Sequence, residues 1–253
     1  MGAMLDWLAV PRRWERALYG PPYEYAEMVQ NRWILRTVTP ETVVLDVGAG
    51  PPTPYFPLDL RGRAKRVIGA DVDPAVLRNW RLDEAHVTDG GRLPLEDESV
   101  DLAISTYVLE HVAEPEGHFH EIARVLRPGG SFFFLTVNAW HPTVAAYRLV
   151  PRALKDRIVA TFGKRDAEGE NYPVYFRANT EAAIRRLACA SGFGGVEIRH
   201  REHPPHYFRG FLPLWIPGVV YEHVVRKCRV LGPVKSALYG RLEKGGRGAK
   251  KVC

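Results

Sequence analysis

Between residues 42 and 137, short apolar runs alternate with loops and with a helical pattern, and this alternation is the strongest constraint on the fold. Continuous apolar runs of this length are typical of strands buried on both faces of a sheet. Strands that alternate with helices imply parallel crossover connections. The sequence therefore predicts an α/β fold with a doubly wound, mostly parallel sheet, whose strands are expected at 42–47, 66–71, 85–88, 100–105 and 131–137.

The rest of the chain departs from that alternation. A length of 253 residues suits one domain, 1–253, with an appended lobe. Beyond the predicted core at 38–138, residues 139–178 carry many aromatic side chains and no clear strand, which predicts an inserted lid or substrate lobe. A helix and a strand are expected at 179–202. Residues 203–253 show no regular pattern and are predicted to form an irregular C-terminal extension.

The loop after the first predicted strand combines an acid with two glycines, Asp46, Gly48 and Gly50. Glycines let the backbone turn tightly and approach a ligand closely. The loop falls at the carboxyl end of a central strand, where open parallel sheets bind ligands. An acid ahead of the glycines suits a ligand that carries an ammonium group. Considered alone, the glycines could also form a purely structural strand–helix turn.

The next two predicted strands also end in acids. Asp71 can accept hydrogen bonds from both hydroxyls of a ribose, while Asp73 is expected to cap a helix that starts at Pro74. Asp89 and Gly90 offer a carboxylate and a backbone N–H that match the edge of an adenine, although Asp-Gly is also a common turn pair. Acids at three successive strand ends predict an adenosine-binding edge.

The glycine loop does not match a dinucleotide site. A dinucleotide fingerprint needs a third glycine, and Thr53 stands at that position. Pro51 and Pro52 supply no backbone N–H to a pyrophosphate. A nucleoside cofactor without phosphates is therefore favoured.

Residues 42–137 resemble the class I S-adenosylmethionine-dependent methyltransferases of the type that act on small molecules. The resemblance rests on four segments in the family's order, VVLDVGAG, VIGADVDP, TDGGRLPLEDESVDLAISTYVLEHV and LRPGG. It implies a Rossmann-like fold whose seven-stranded sheet ends in an antiparallel hairpin, with S-adenosylmethionine as the cofactor. No strand pattern that could complete this hairpin is evident after 196–200.

The resemblance also implies roles for individual residues in cofactor binding. Ser105 and Thr106 would lie beneath the methionine part of the cofactor. The remaining residues are Asp46, Gly48 and Gly50 around the methionine part, Asp71 at the ribose, Val72 against the adenine, and Asp89 and Gly90 at the adenine edge.

Methyl transfer is a direct displacement that depends on positioning and exclusion of water. An oxygen or nitrogen nucleophile often needs a base, and histidine suits that role near neutral pH. The candidates are His111, which could also be a structural residue at a helix start, and His141, just past the fifth strand. No metal is expected, because prolines interrupt the spacing of His200, His203 and His206.

Positive charge is concentrated near the C-terminus. The net charge is +6, and residues 226–253 contain nine Lys or Arg and one acid. This segment could be a solvated tail, contact nucleic-acid phosphates, or hold an anionic membrane surface. The membrane contact would involve residues 211–251, with an apolar group that consists of Phe211, Leu212, Leu214, Trp215, Ile216 and Val219.

The function predicted first is S-adenosylmethionine-dependent methyl transfer to an O, N or C nucleophile of a small molecule of lipophilic character. The alternatives are an RNA methyltransferase that uses the basic segment, and a non-catalytic cofactor-binding subunit. Nucleic acid is not expected as a partner, because the chain has no NPPY-like target-base motif. Met1–Val10 lacks the pattern of a secretory signal, so a cytoplasmic protein is expected. Residues 211–251 add the expectation of peripheral contact with a membrane surface.

Overall fold

The computed structural model of the protein describes residues 10–20, 23–52, 58–151, 172–205, 208 and 212–246. The strands are β1 (Val43–Val47), β2 (Arg66–Asp71), β3 (Glu84–Val87), β4 (Val100–Thr106), β5 (Leu126–Val137), β6 (Phe193–Arg201) and β7 (Ala237–Lys244). The α-helices are α1 (Arg12–Tyr19), α2 (Ala26–Thr37), α3 (Pro115–Val125), α4 (Pro142–Leu149), α5 (Glu181–Ala190) and α6 (Leu212–Lys227). Shorter 3-10 helices are found at Pro74–Arg78, Leu109–His111 and Arg229–Val234.

The seven strands form one sheet in the order β3-β2-β1-β4-β5-β7-β6. The pairs β1–β2, β1–β4, β2–β3 and β4–β5 are parallel. The chain therefore leaves β1 toward one edge of the sheet, through β2 and β3, and then returns to continue on the other side of β1 with β4. This topology confirms the predicted α/β fold with a doubly wound, mostly parallel sheet.

Apolar side chains cover both faces of the sheet, as the continuous runs predict. On one face Phe132 and Phe134 join a cluster with Phe119 of α3, and all three are fully buried. On the other face Phe133 packs with Ile34 of α2. Successive side chains of a strand point to opposite faces, so consecutive phenylalanines serve both cores.

The irregular extension predicted for 203–253 requires correction, because part of it forms the strand β7 between β5 and β6. A Cβ atom on Gly240 would lie 2.2 Å from the carbonyl oxygen of Glu197, and one on Gly195 would lie 3.2 Å from the Cβ of Glu243. Residue numbers rise along β7 as they fall along β6, so this pair is antiparallel. β7 is the seventh strand that the sequence pattern did not reveal.

The chain divides into two compact units. One comprises Met1–Ala26, Asn138–Tyr172 and His200–Ala237, and the other comprises Glu27–Val137, Pro173–Arg199 and Leu238–Cys253. The second unit, here called the sheet unit, holds the sheet apart from a few residues at the ends of β6 and β7, together with α2, α3 and α5. The first, here called the helical unit, holds α1, α4 and α6.

Buried polar groups help to hold the helical unit together. Glu222 of α6 is only 1% exposed. Its carboxylate lies 3.3 Å from the Tyr19 hydroxyl and 3.0 Å from the Arg226 Nε. Glu202 accepts a hydrogen bond from the backbone N–H of Ser236 at 3.1 Å. The predicted lid at 139–178 contributes α4, while its residues 152–171 lie outside the described residues.

Candidate active site

The glycine loop begins where β1 ends. Gly48 has φ +76° and Gly50 has φ +49°, a backbone region that favours glycine. A Cβ atom on Gly48 would lie 2.1 Å from the Cγ2 of Val108, so a larger residue would collide with the segment after β4. The turn therefore needs glycine here for both conformation and space.

Asp71 connects the ends of β1 and β2. Its Oδ2 accepts a hydrogen bond from the Gly50 N–H at 2.7 Å, and its Oδ1 accepts one from the Asp73 N–H at 2.8 Å. Asp73 in turn accepts from the Ala75 N–H at 2.8 Å and caps the 3-10 helix that starts at Pro74, as the sequence predicts. A carboxylate oxygen can accept more than one hydrogen bond, so Asp71 keeps capacity for a ligand.

Asp46 lies at the same edge of the sheet and is half-buried. Burial, together with the neighbouring charge of Asp71, raises the pKa of Asp46 to about 7. When two carboxyl groups lie close together with little water around them, the state in which both are ionised is unfavourable. A cationic group placed beside Asp46 would favour its charged form.

A cavity opens beside Asp46, entirely within the sheet unit. Its polar lining includes Asp46 and Thr106 from the strand ends and Glu27 and Asn31 from α2. Its apolar lining includes Val44, Leu58, Leu60, Val67, Leu82 and Ile104. The site thus combines a polar rim with an apolar wall, which is usual for small-molecule sites.

Two residues of the site were not predicted from the sequence. Asn79, which is 9% exposed, donates through its Nδ2 to the carbonyl oxygens of Ala49 and Gly50 at 3.2 and 3.0 Å and supports the glycine loop. Tyr107 has φ +57°, and its hydroxyl donates to the Oε1 of Glu27 at 2.6 Å. A bulky residue with positive φ is uncommon and is often found at functional sites. Neither signal is visible in a single sequence.

The residues predicted for the adenine also lie together. The backbone N–H of Thr88, just after β3, donates to the carbonyl oxygen of Asp71 at 2.8 Å. The side chain of Val72 is 45% exposed. A Cβ on Gly90, whose φ is +81°, would lie 3.5 Å from the Cγ1 of Val72. Asp89 is exposed and accepts from the Gly91 N–H at 2.9 Å, so the predicted turn is also present.

Ser105 and Thr106 end β4, and Val47 pairs with Ser105 in the sheet. Thr106 lines the cavity, but Ser105 is fully buried. Among the described residues, the Ser105 hydroxyl has no hydrogen-bond partner. Ser105 therefore lies beneath the site, and Thr106 is the residue that faces it.

The two predicted histidines have different surroundings. His111 lies in the sheet unit, in the 3-10 helix after β4, with its Nδ1 3.0 Å from the carbonyl oxygen of Pro173. His141 belongs to the helical unit and is 5% exposed. Its Nδ1 lies 2.6 Å from the Thr143 hydroxyl and its Nε2 lies 3.3 Å from the Glu202 carboxylate. These contacts favour a structural role for His141.

Residues 45–134 match the family model described as "Methyltransferase domain". This match begins within β1 and includes β2, β3 and β4 and the loops that carry the acids. Residues 45–134 thus form a methyltransferase domain of the class I S-adenosylmethionine-dependent type.

The methyltransferase domain is similar to curated proteins over part of their length. An uncharacterized methyltransferase of Mycobacterium sp. (strain JLS) is 36% identical over 125 residues, which cover 46% of this chain and 47% of that protein. The chain thus spans about half the length of this curated relative.

Solved structures share the fold of this chain. An S-adenosylmethionine-dependent methyltransferase from Mesorhizobium loti has a TM-score of 0.55 and 17% identity, and the match covers 87% of this chain and 98% of that one. A Haemonchus contortus phosphoethanolamine N-methyltransferase 2, in complex with phosphomonomethylethanolamine and S-adenosylhomocysteine, has a TM-score of 0.55 and 14% identity, with coverage of 91% and 56%.

Across the described ranges, no group of three or more His, Cys, Asp or Glu side chains is arranged to hold a metal ion. Over the same part of the chain, no helix has the length and apolar character needed to span a bilayer.

Proposed function

We propose that this methyltransferase transfers a methyl group from S-adenosylmethionine to an O, N or C nucleophile of a small molecule of lipophilic character. The observation that carries the proposal is the pair of acids, Asp46 and Asp71, around a glycine loop at the carboxyl edge of the sheet. The cavity beside Asp46 has an apolar wall, which supports an acceptor with apolar surface.

The acids fit the charge of the proposed cofactor. The pKa of Asp46 is raised to about 7 by burial of its carboxyl group and by the neighbouring charge of Asp71. The amino group and the sulfonium of S-adenosylmethionine are both cationic, and either would stabilise an ionised Asp46. Asp71 is oriented by the backbone N–H groups of Gly50 and Asp73, and its remaining acceptor capacity supports the proposed role at the ribose hydroxyls.

The bound cofactor would supply a methyl carbon activated by a positive sulfur. The contribution of this chain is mainly positioning, which can account for a large part of the rate of a displacement. Asn79 and Asp71 fix the glycine loop from two sides, and Thr106 faces the cavity from the end of β4. The apolar wall limits water in the same cavity.

His111 is the proposed general base for an oxygen or nitrogen acceptor. The carbonyl oxygen of Pro173 can only accept a hydrogen bond, so its contact with Nδ1 implies that this nitrogen carries the hydrogen. The basic nitrogen is then Nε2, which would take the proton released by the acceptor. His111→Gln is expected to lower kcat at least tenfold with cofactor affinity unchanged, whereas His141→Gln is expected to lower the melting temperature.

The test has two stages. Isothermal titration with S-adenosylmethionine and with S-adenosylhomocysteine measures cofactor binding, and the proposal fails if neither binds the folded protein. Transfer of a radiolabelled methyl group is then measured in parallel with an organic extract, an aqueous metabolite extract and total RNA. Label in the organic extract supports a lipophilic acceptor, whereas label in RNA alone contradicts it. Tight cofactor binding without transfer to any extract would favour a non-catalytic binding subunit.

A further inference from the structure

Helix α6 in the helical unit presents an apolar surface to solvent. Between residues 212 and 225, every exposed position carries an apolar side chain. We call this set the apolar face of α6, and it consists of Pro213, Leu214, Ile216, Pro217, Val220 and Val224. Four of these side chains are about half exposed, at 49% for Leu214, 51% for Ile216, 60% for Val220 and 54% for Val224.

The apolar face follows the geometry of the helix. From Pro213, the other members except Leu214 recur at the third, fourth, seventh and eleventh positions, which is the spacing of one side of an α-helix. The opposite side is buried through Trp215, Glu222 and Val225. A surface helix of a soluble protein normally has its polar residues outside and its apolar residues inside. Helix α6 departs from this pattern, because its exposed side is also apolar. Trp215, predicted to enter a membrane, is instead 4% exposed and packs inside the unit.

The charges next to this face have one sign. The single acid between residues 212 and 236, Glu222, is 1% exposed and engaged by Arg226. Lys227 and Arg229, which follow the apolar face, are exposed. Lys227 is fourteen residues after Pro213, so it lies on the same side of the helix as the apolar face.

We propose that the apolar face of α6 and the cations at its C-terminal end form a docking surface for an anionic lipid bilayer. With 16 residues, α6 is about 24 Å long and would lie in the plane of the interface rather than cross the membrane. The aliphatic side chains would enter the boundary between headgroups and acyl chains, and Lys227 and Arg229 would meet the anionic headgroups.

The size of the surface favours a membrane over a protein partner. Six exposed residues of this size offer only a few hundred Å², whereas a stable protein interface buries about 800 Å² on each partner. Nucleic acid would suit the cations but not a row of aliphatic side chains. The inference is independent of the proposed reaction, because it concerns a surface of the helical unit.

The test is cosedimentation of the full chain with vesicles of phosphatidylcholine alone or with added phosphatidylglycerol. Binding is expected to the anionic vesicles, at least fivefold above the neutral ones, and to weaken as salt is raised. Val220→Asp with Val224→Asp should reduce binding at least tenfold. Leu77→Asp is the matched control, because Leu77 is also an exposed aliphatic residue, at 61%, but lies in the sheet unit. Lys227→Gln with Arg229→Gln should reduce binding to anionic vesicles and leave binding to neutral vesicles unchanged.

Folding and self-association are checked in the same samples. Should the aspartate pair lower the melting temperature, Val220→Thr with Val224→Thr keeps the side-chain shape and should still weaken vesicle binding severalfold. The proposal is overturned if the parent does not pellet with anionic vesicles, or if the folded double variants pellet like the parent. It is also overturned if the parent is a dimer that these variants convert to monomers, since the face would then bind a second copy.

Discussion

The strands β1 and β7 lie in the same sheet but are stabilised in different ways. β1 is a nearly continuous apolar run between two parallel neighbours, and its Val44 and Leu45 are fully buried. β7 contains a glycine and three charged residues, and it lies between β5 and β6. A segment without the usual composition of a central strand thus occupies a central position.

The charged residues of β7 are accommodated by partners far away in the sequence. The Nε of Arg241 donates to the Ser131 hydroxyl at 2.9 Å, and the Nζ of Lys244 donates to the carbonyl oxygen of Leu126 at 2.7 Å. Part of the C-terminal positive charge therefore belongs to a strand rather than to a solvated tail. A basic stretch is compatible with a strand when the neighbouring strands supply its partners.

The largest effect is expected from removing β7. A chain that ends at residue 236 would lose Leu238 and Leu242, both fully buried, and would separate β5 from β6. We expect the free energy of unfolding to fall by more than about 5 kcal/mol. Circular dichroism measured during heating should then show no cooperative transition. Arg241→Gln with Lys244→Gln keeps the strand and should cost much less. A truncated chain that melts like the parent would show that β7 is dispensable.

A smaller effect, about 3 kcal/mol of lost stability, is expected for Gly240→Ala. The added Cβ would lie 2.2 Å from the carbonyl oxygen of Glu197 and 2.9 Å from the Phe134 ring, so backbone would have to move. Gly246→Ala is the control, because nothing lies within 4 Å of its Cβ position. Urea denaturation measures both, and equal midpoints for the two variants would contradict the close packing of β7.

The acidic edge is tested by Asp71→Ala, for which we expect cofactor binding to weaken by about 1–3 kcal/mol through lost charge-assisted hydrogen bonds. Asp73→Ala removes only the cap of the 3-10 helix and should change affinity much less. Isothermal titration measures the difference. If the folded Asp71 variant binds as tightly as the parent, the ribose assignment is wrong.

The smallest effect concerns pH. Because the pKa of Asp46 is about 7, its carboxyl group is largely neutral below that pH and ionised above it. Cofactor affinity should therefore rise about tenfold from pH 6 to pH 8, and Asp46→Asn should remove this rise.

The stability of the folded protein should show the opposite dependence on pH and decrease as pH rises. The folded pKa lies above the ordinary value of 3.8, so the folded state holds the proton more tightly and stability is lost as pH rises through 7. The melting temperature of the parent should consequently fall more between pH 5 and pH 8 than that of Asp46→Asn. Identical pH profiles for the two proteins would argue against the raised pKa.

Much of the acidic edge could be predicted from the sequence. The end of β2 at Asp71 and the cap at Asp73 agree with the structure, because both depend on neighbours within a few residues. Asn79 and Tyr107 could not be predicted in the same way. Asn79 reaches a loop about thirty residues earlier, and the phenol of Tyr107 meets Glu27, eighty residues away.

The amino-acid sequence by itself determined the parallel strands, the glycine loop and the acids at the strand ends. Each is encoded by a local pattern, since apolar periodicity and turn residues act over a few positions. Tertiary structure alone decided the insertion of β7 between β5 and β6 and the outward direction of the apolar face of α6. Both depend on which distant segments pack together, and that choice leaves no periodic signal in the chain.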